Sequence, residues 1–286
     1  MHETAKPGMA DSIGLSVIAP ARDEAGNIDL LVRRVGDACA RTGRSFEFLL
    51  IDDASVDGTA EAVRAMMPER AWLRTISLPA PDDSPSNGQS AAFAAGIAAS
   101  RGILVAMLDA DLQNDPADLV PLIERIQTTG ADLVQGDRSR SRRAGDRRIR
   151  RLGSGVGRLA RRLILGDRTR DTGCSLRVMR RAVAEALPLH RRGMHRFVPF
   201  IARSMGFRVV EMEVSHAVRH AGVTKYGMGI ASRAIPGLVD CFAVRRMARR
   251  VWAPAAREEK QTDSREDLPI PADARRFEPL PEEALR

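Results

Sequence analysis

Cysteine is scarce in this sequence and shows no sign of pairing. The 286 residues hold three, Cys39, Cys174 and Cys241, far apart and with no CxxC pair or Cys/His cluster. This excludes a disulfide framework and the usual zinc spacings, and it fits a reducing cytoplasm. Aromatic residues make up 4% of the chain, too few for the stacking platforms of single-strand nucleic-acid binders. Long apolar runs are absent as well. Ile103 to Leu108 is strand-sized, far below the roughly 20 residues of a membrane-crossing helix. The opening MHETAKPGMADSIG lacks the apolar centre of a signal peptide. Neither GxGxxG nor GxxxxGK[ST] occurs, so any phosphate must be cradled by something other than a glycine loop.

What is present is a globular composition, 44% apolar, with a formal charge of +8 concentrated in arginine. Arg138, Arg140, Arg142, Arg143, Arg147, Arg148, Arg150 and Arg151 crowd one stretch, continued by Arg158, Arg161, Arg162, Arg168 and Arg170. A second group is Arg245, Arg246, Arg249 and Arg250. Guanidinium clusters suit phosphorylated ligands or anionic lipid. Nucleic acid is the third class such charge serves, but no binding motif for it is present.

Strands and helices alternate. Leu15–Pro20, Phe46–Ile51, Trp72–Leu78, Ile103–Leu108 and Asp132–Gly136 read as strands. Asn27–Arg41, Thr59–Met67, Gln89–Ser100 and Asp118–Thr128 read as helices. The expected fold class is α/β, a mixed and mostly parallel sheet with helices on both faces. Further along, Val178–Leu187 reads as a helix, Phe207–Val214 as a strand, and Ile230–Trp252 as one amphipathic helix or two broken at Pro236. The organisation expected is a catalytic domain over 13–229, interfacial helices over 230–252, and disordered ends at 1–12 and 253–286. In such sheets ligands sit beyond the carboxyl ends of the strands. Three strands here run into acidic loops, ARDE, DDASVD and DAD.

Asp109-Ala110-Asp111 follows a buried strand. Two carboxylates there suit a hard divalent cation such as Mg²⁺ or Mn²⁺, with positions left for phosphate oxygens; a polar turn after a strand is the plainer reading of the tripeptide alone. Asp53 is placed to accept hydrogen bonds from a base or ribose. Asp57 and Thr59 suit a turn capping the next helix.

Taken in order, VIAPARDEAGNI, LLIDDASVDGT, NGQSAAFAAGI, MLDADLQNDP, QGDRSR, DTGCSLRVMRR, HRFVPF and AVRHAGVTKYG resemble the family 2 glycosyltransferases of the GT-A fold. Within that family the chain is most similar to the dolichol-phosphate mannose synthases and bacterial polyprenyl-phosphate relatives, over roughly residues 13–250. The resemblance implies a nucleotide-sugar site of Pro20, Arg22, Glu24, Ile51, Asp53, Asp109, Ala110, Asp111 and Arg138. It implies metal ligation by Asp109, Asp111 and Gln113, and acceptor contacts from His195, Arg196, Arg219 and Lys225. Asp109, Asp111, Arg219, Lys225 and Asp171 would form the catalytic set, although Asp171 equally suits a structural turn and His195-Arg196 a packed loop. Arg22 stands where the family often has Tyr, and His216-Ala217-Val218-Arg219 where it has HRPR.

The activity implied is inverting, metal-dependent transfer of a mannose-like hexosyl group from GDP-mannose or a UDP-sugar to dolichyl or undecaprenyl phosphate. It would occur at the cytoplasmic face of a membrane that the protein contacts peripherally. A lipid phosphate is already an oxyanion near neutral pH and needs no strong base. The alternative is a transferase acting on a polysaccharide or lipid hydroxyl in the cell envelope, which requires a base near Asp171.

Overall fold

The structure is a computed structural model and describes residues 13–141, 161–217 and 230–249, together with Leu159. Seven strands form one sheet: β1 Leu15–Ala21, β2 Phe46–Asp53, β3 Leu73–Leu78, β4 Leu104–Met107, β5 Leu133–Asp137, β6 Arg177–Arg180 and β7 Val209–Glu213. Their order is β3-β2-β1-β4-β6-β5-β7, parallel except for β6, which runs antiparallel to both neighbours. The helices are α1 Ala25–Arg41, α2 Thr59–Met66, α3 Gln89–Ala99, α4 Leu119–Thr129, α5 Arg181–Ala186, α6 Val198–Ser204 and α7 Ile230–Arg249.

Strand periodicity sorts the core into two layers. Leu15, Val17, Ala19, Phe48, Leu50, Ala106 and Leu108 face one side, where Ile28, Leu31, Val32 and Val35 of α1 cover them with Val63 of α2 and Leu119, Leu122 and Ile126 of α4. Ile18, Leu49, Ile51, Val105 and Met107 face the other side, under Phe93 and Ile97 of α3, Val183 of α5 and Val198 and Ile201 of α6. Each of the Val, Leu, Ile, Phe and Met side chains, fully buried, contributes roughly 1.5–3 kcal/mol. Gly96 lets α3 lie close to the sheet: a Cβ there would sit 2.4 Å from Cγ2 of Ile18.

One expectation needs correction. Val178–Leu187 is not one helix. Its first residues complete β6, which pairs with β4 and β5, and the helix begins only at Arg181. Arg177–Arg180 (RVMR) has too short an apolar signature to separate strand from helix by periodicity. Ile230–Arg249 is a single helix that continues through Pro236. Its Cys241 and Val244 are buried in the core layer over α3 and α6, while Leu238, Val239 and Phe242 are exposed. Among the described residues, no helix is long and apolar enough to cross a membrane.

Candidate active site

β1, β2 and β4 are neighbours and parallel, so their carboxyl ends share one edge. The loops leaving them are bent sharply, each with one non-glycine residue in the left-handed region: Asp23 (φ 45°), Ala54 (φ 57°) and Leu112 (φ 60°). Such conformations persist only where surrounding contacts enforce them. The first two loops are laced together. Main-chain N–H groups of Asp23, Glu24 and Ala25 donate to Ser55 Oγ, Thr59 Oγ1 and Asp57 Oδ2, and Val56 N–H donates to Asp23 Oδ1. Asp57 also accepts from Thr59. Burial raises the Asp57 carboxyl, but these bonds hold it below its ordinary range.

Pro20 is the sixth residue of β1, opposite Ile51 of β2. The Ile51 side chain is fully buried in the layer beneath α3, on the face of β2 it shares with Leu49, so the side chain itself is not available for the expected nucleotide contact. Ala110 is likewise a core residue. Arg22 lies 3.7 Å from the Asp23 carboxylate, and Glu24 accepts from the Asn27 amide at 2.6 Å. Asp53 accepts from the main-chain and side-chain nitrogens of Asn87 and from Gly88 N–H at 2.8–3.0 Å. It thereby closes the 79–88 loop onto β2.

Asp109 is half-buried and Asp111 is buried. Burial, and next the Asp111 charge, push the Asp109 carboxyl above its ordinary range; Ser175, Arg138 and Arg177 oppose the shift. Gln89 Nε2 donates to Asp109 Oδ1 at 2.5 Å. Gln113 donates its N–H to Asp111 Oδ1 (3.1 Å) and accepts from Ala217 N–H (2.9 Å), which braces the loop through its main chain. Among the described residues no group of three or more His, Cys, Asp or Glu is placed to hold a metal by itself. Cations that remain bound mainly to substrate phosphates need only one or two protein carboxylates. Asp109 and Asp111 supply two, in mutual repulsion, so the residues present fit a Mg²⁺ or Mn²⁺ ion.

Arg138 and Asp171 form a buried pair. Asp171 accepts from Arg138 Nε (2.8 Å), Nη2 (3.3 Å) and N–H (3.2 Å), and from Gly173 N–H (3.1 Å). Burial lowers the Arg138 guanidinium, but Asp171 more than reverses this and holds it above its ordinary value. His195 lies across the edge from Asp109. Its main-chain N–H donates to Ser90 Oγ (3.1 Å), and that hydroxyl is 2.8 Å from His195 Nδ1. Either tautomer satisfies this contact, the hydroxyl donating to a bare Nδ1 or accepting from Nδ1–H. Burial, then Arg196 and Arg177, push the imidazole down to about 3, so His195 is neutral. Arg196 is exposed, and its carbonyl accepts from Arg161. Arg219 and Lys225 lie outside the described residues.

Several site residues carried no role in the sequence reading. Arg177 is buried, and its guanidinium donates to three main-chain carbonyls: Cys174 (2.6 Å), Ser175 (3.1 Å) and His195 (3.1 Å). Burial pushes it down to about 10, against the pull of Cys174, Asp109 and Asp171. Asn114 Nδ2 donates to Ser175 Oγ at 3.0 Å. Gln89, Ser175 and Arg177 all stand inside motifs that mark the family, NGQS and DTGCSLR, but nothing in those strings says which members face the carboxylates.

The sheet order, the edge it exposes and the acidic pair at that edge define a GT-A-type protein. The family profile described as Glycosyl transferase family 2 matches residues 16–187. The chain belongs to that family. It is 36% identical, over 228 residues, to the undecaprenyl-phosphate 4-deoxy-4-formamido-L-arabinose transferase of Pseudomonas paraeruginosa, covering 80% of this chain and 65% of the relative. It is 34% identical over 242 residues to the dodecaprenyl-phosphate galacturonate synthase of Rhizobium johnstonii, covering 83% and 69%. The chain thus spans slightly under two thirds of the Pseudomonas relative's length. Among solved structures, glucosyl-3-phosphoglycerate synthase from Mycobacterium tuberculosis superposes with a TM-score of 0.60 at 17% identity, covering 81% of this chain and 80% of that one. A second structure of that enzyme holds Mn²⁺, UDP and glucosyl-3-phosphoglycerate.

Proposed function

We propose that this chain transfers a glycosyl group from a nucleotide-diphosphate sugar to a polyprenyl phosphate, with inversion, at a membrane surface. The observation that carries the reading is the Asp109–Asp111 pair, two carboxylates in mutual repulsion at the carboxyl edge of the sheet. Bound there, Mg²⁺ or Mn²⁺ would supply electrostatic stabilisation of the charge that develops on the departing nucleoside diphosphate. Asp109 and Asp111 hold that position, Gln113 braces the loop, and the neutral His195 adds no charge to it. Arg138 is fixed by Asp171, and its field reaches Asp109. By resemblance to the family, Arg219 and Lys225 complete the phosphate contacts.

The state of Asp171 favours a phosphate acceptor over a hydroxyl one. Activating a hydroxyl requires a carboxylate able to take a proton. Asp171 already accepts four hydrogen bonds, three of them from a guanidinium-bearing residue. A phosphate monoester brings its own oxyanion, so positioning and charge stabilisation suffice. The names of the relatives support a polyprenyl-phosphate acceptor. The sugars in those names are a formamido-arabinose and a galacturonate, so they lend no weight to mannose. GDP-mannose and UDP-sugars both stand as donors.

The membrane-facing side of the proposal rests on α7 and the segment before Gly166. Leu163, Val239 and Phe242 are 74%, 61% and 60% exposed. A cavity of about 350 Å³ is lined by Arg162, Leu163, Leu165, Phe200 and Arg245 among others. Apolar side chains flanked by arginine suit the anionic cytoplasmic leaflet.

The test is a panel of radiolabelled GDP- and UDP-sugars incubated with polyprenyl phosphate, with Mg²⁺, Mn²⁺ or chelator. Label should pass into the organic phase with one donor and a divalent ion, and not with chelator. No transfer from any donor would overturn the proposal.

A further inference from the structure

Three consecutive residues at the start of α3 reach three different groups of the site. Gly88 N–H donates to Asp53 Oδ2, Gln89 Nε2 to Asp109 Oδ1, and Ser90 Oγ meets both the ring and the main chain of His195. Gly88 is in the left-handed region (φ 89°), which turns the 79–88 loop into the helix and sets this register. Gly96, one face further along, lets the same helix sit hard on Ile18 and Ile51, so α3 has little room to rotate. Its first turn is a fixed strut joining the ends of β2 and β4 to the His195 segment.

The Asp109 carboxylate is gripped from two sides. Asn114 donates to Ser175 Oγ, leaving the hydroxyl proton for Asp109. Gln89 approaches from α3. Both donors are neutral, so both orient the carboxylate without cancelling its charge. An arginine in the place of Gln89 would instead neutralise the group that the cation requires.

We infer that Gln89 is a positioning residue: its carboxamide fixes the Asp109 carboxylate in the orientation that receives the divalent cation. This rests on the metal assignment proposed above. Neutral hydrogen bonds behind a metal-binding carboxylate are worth about 10–100-fold in metal affinity.

The experiment is Mn²⁺ binding in the presence of UDP and, separately, of GDP, read from the free-ion electron paramagnetic resonance signal, with thermal melting measured alongside. Gln89→Met keeps the length of the side chain and removes the donor. Gln89→Asn keeps the amide but withdraws it by one methylene. Both are expected to weaken Mn²⁺ binding by about tenfold while melting within about 3 °C of the wild type. Ser90→Ala, which alters the His195 contact on the same helical turn, should bind Mn²⁺ like the wild type. If either Gln89 variant binds with wild-type affinity, or if Ser90→Ala weakens binding as much as they do, Gln89 has no such role. Wild-type protein that binds no Mn²⁺ with either nucleotide would overturn the metal assignment itself, and this inference with it.

Discussion

The two ends of the sheet each hold a carboxylate, and the chain treats them oppositely. At the amino end, Glu47 of β2 is 1% exposed and is fully answered. Ser16 Oγ and Arg101 N–H donate to one oxygen, and Arg74 and Arg101 side chains to the other. Burial raises the Glu47 carboxyl, but those bonds together pull it below its ordinary value. At the carboxyl end, Asp109 receives neutral donors and a second carboxylate as neighbour, and its pKa moves up. A charge that serves folding is compensated inside the protein. Asp109 is under-compensated, which is what a group awaiting an external cation requires.

Asp171 provides the largest expected break in this contrast, because it lies at the carboxyl end yet is compensated like Glu47. Asp171→Asn leaves the buried Arg138 guanidinium without its counter-charge, which should cost about 3–5 kcal/mol, measured by urea unfolding. A loss below 1 kcal/mol would mean that Arg138 finds water or another partner, and that the pair is not a folding element.

Glu47 comes next. Because its folded pKa lies below the ordinary 4.5, its ionised form is favoured in the native state. The stability it adds is complete above pH 4.5 and is lost as pH falls through the lower folded value. Glu47→Gln should cost about 1–3 kcal/mol at pH 7 and flatten the acid limb of the stability–pH curve. A variant with an unchanged acid limb would remove Glu47 from the account.

The smallest effect concerns the cysteines. Cys39 and Cys174 are fully buried, and burial pushes their thiols up to about 12 and about 11. Native protein at pH 8 should take up no iodoacetamide at either position over hours, as read by peptide mass spectrometry. Rapid labelling of Cys174 alone would show the carboxyl edge opening while the α1 side stays closed.

The contrast also marks what was legible in the residue string. β1, β2 and β4 were readable because each is a continuous apolar run ending in acidic residues, and their parallel pairing put Asp53, Asp109 and Asp111 on one edge as expected. β6 was not readable: its inclusion depends on pairing with β4 and β5, which are far away in sequence, and RVMR alone signals neither strand nor helix. Asp53 and Asp171 stood out as acidic residues, but their own-chain partners, the 79–88 loop and Arg138, are set by tertiary contact. Ile51 carries its expected ligand contact by motif alone, and its side chain packs beneath α3 on the face of β2 that Leu49 also fills. Gln89 was passed over because an uncharged amide at a helix start has no chemistry until the carboxylate opposite is known.

Asp109→Asn tests the central claim most directly through melting temperature with and without Mn²⁺ plus UDP. A carboxyl with a raised folded pKa destabilises the native state when ionised, so removing the charge should raise the melting temperature. Adding Mn²⁺ and UDP should then stabilise the wild type and not the variant, closing or reversing the gap. A variant that melts below the wild type without the ion, or that gains as much as the wild type when the ion and nucleotide are added, would contradict the account.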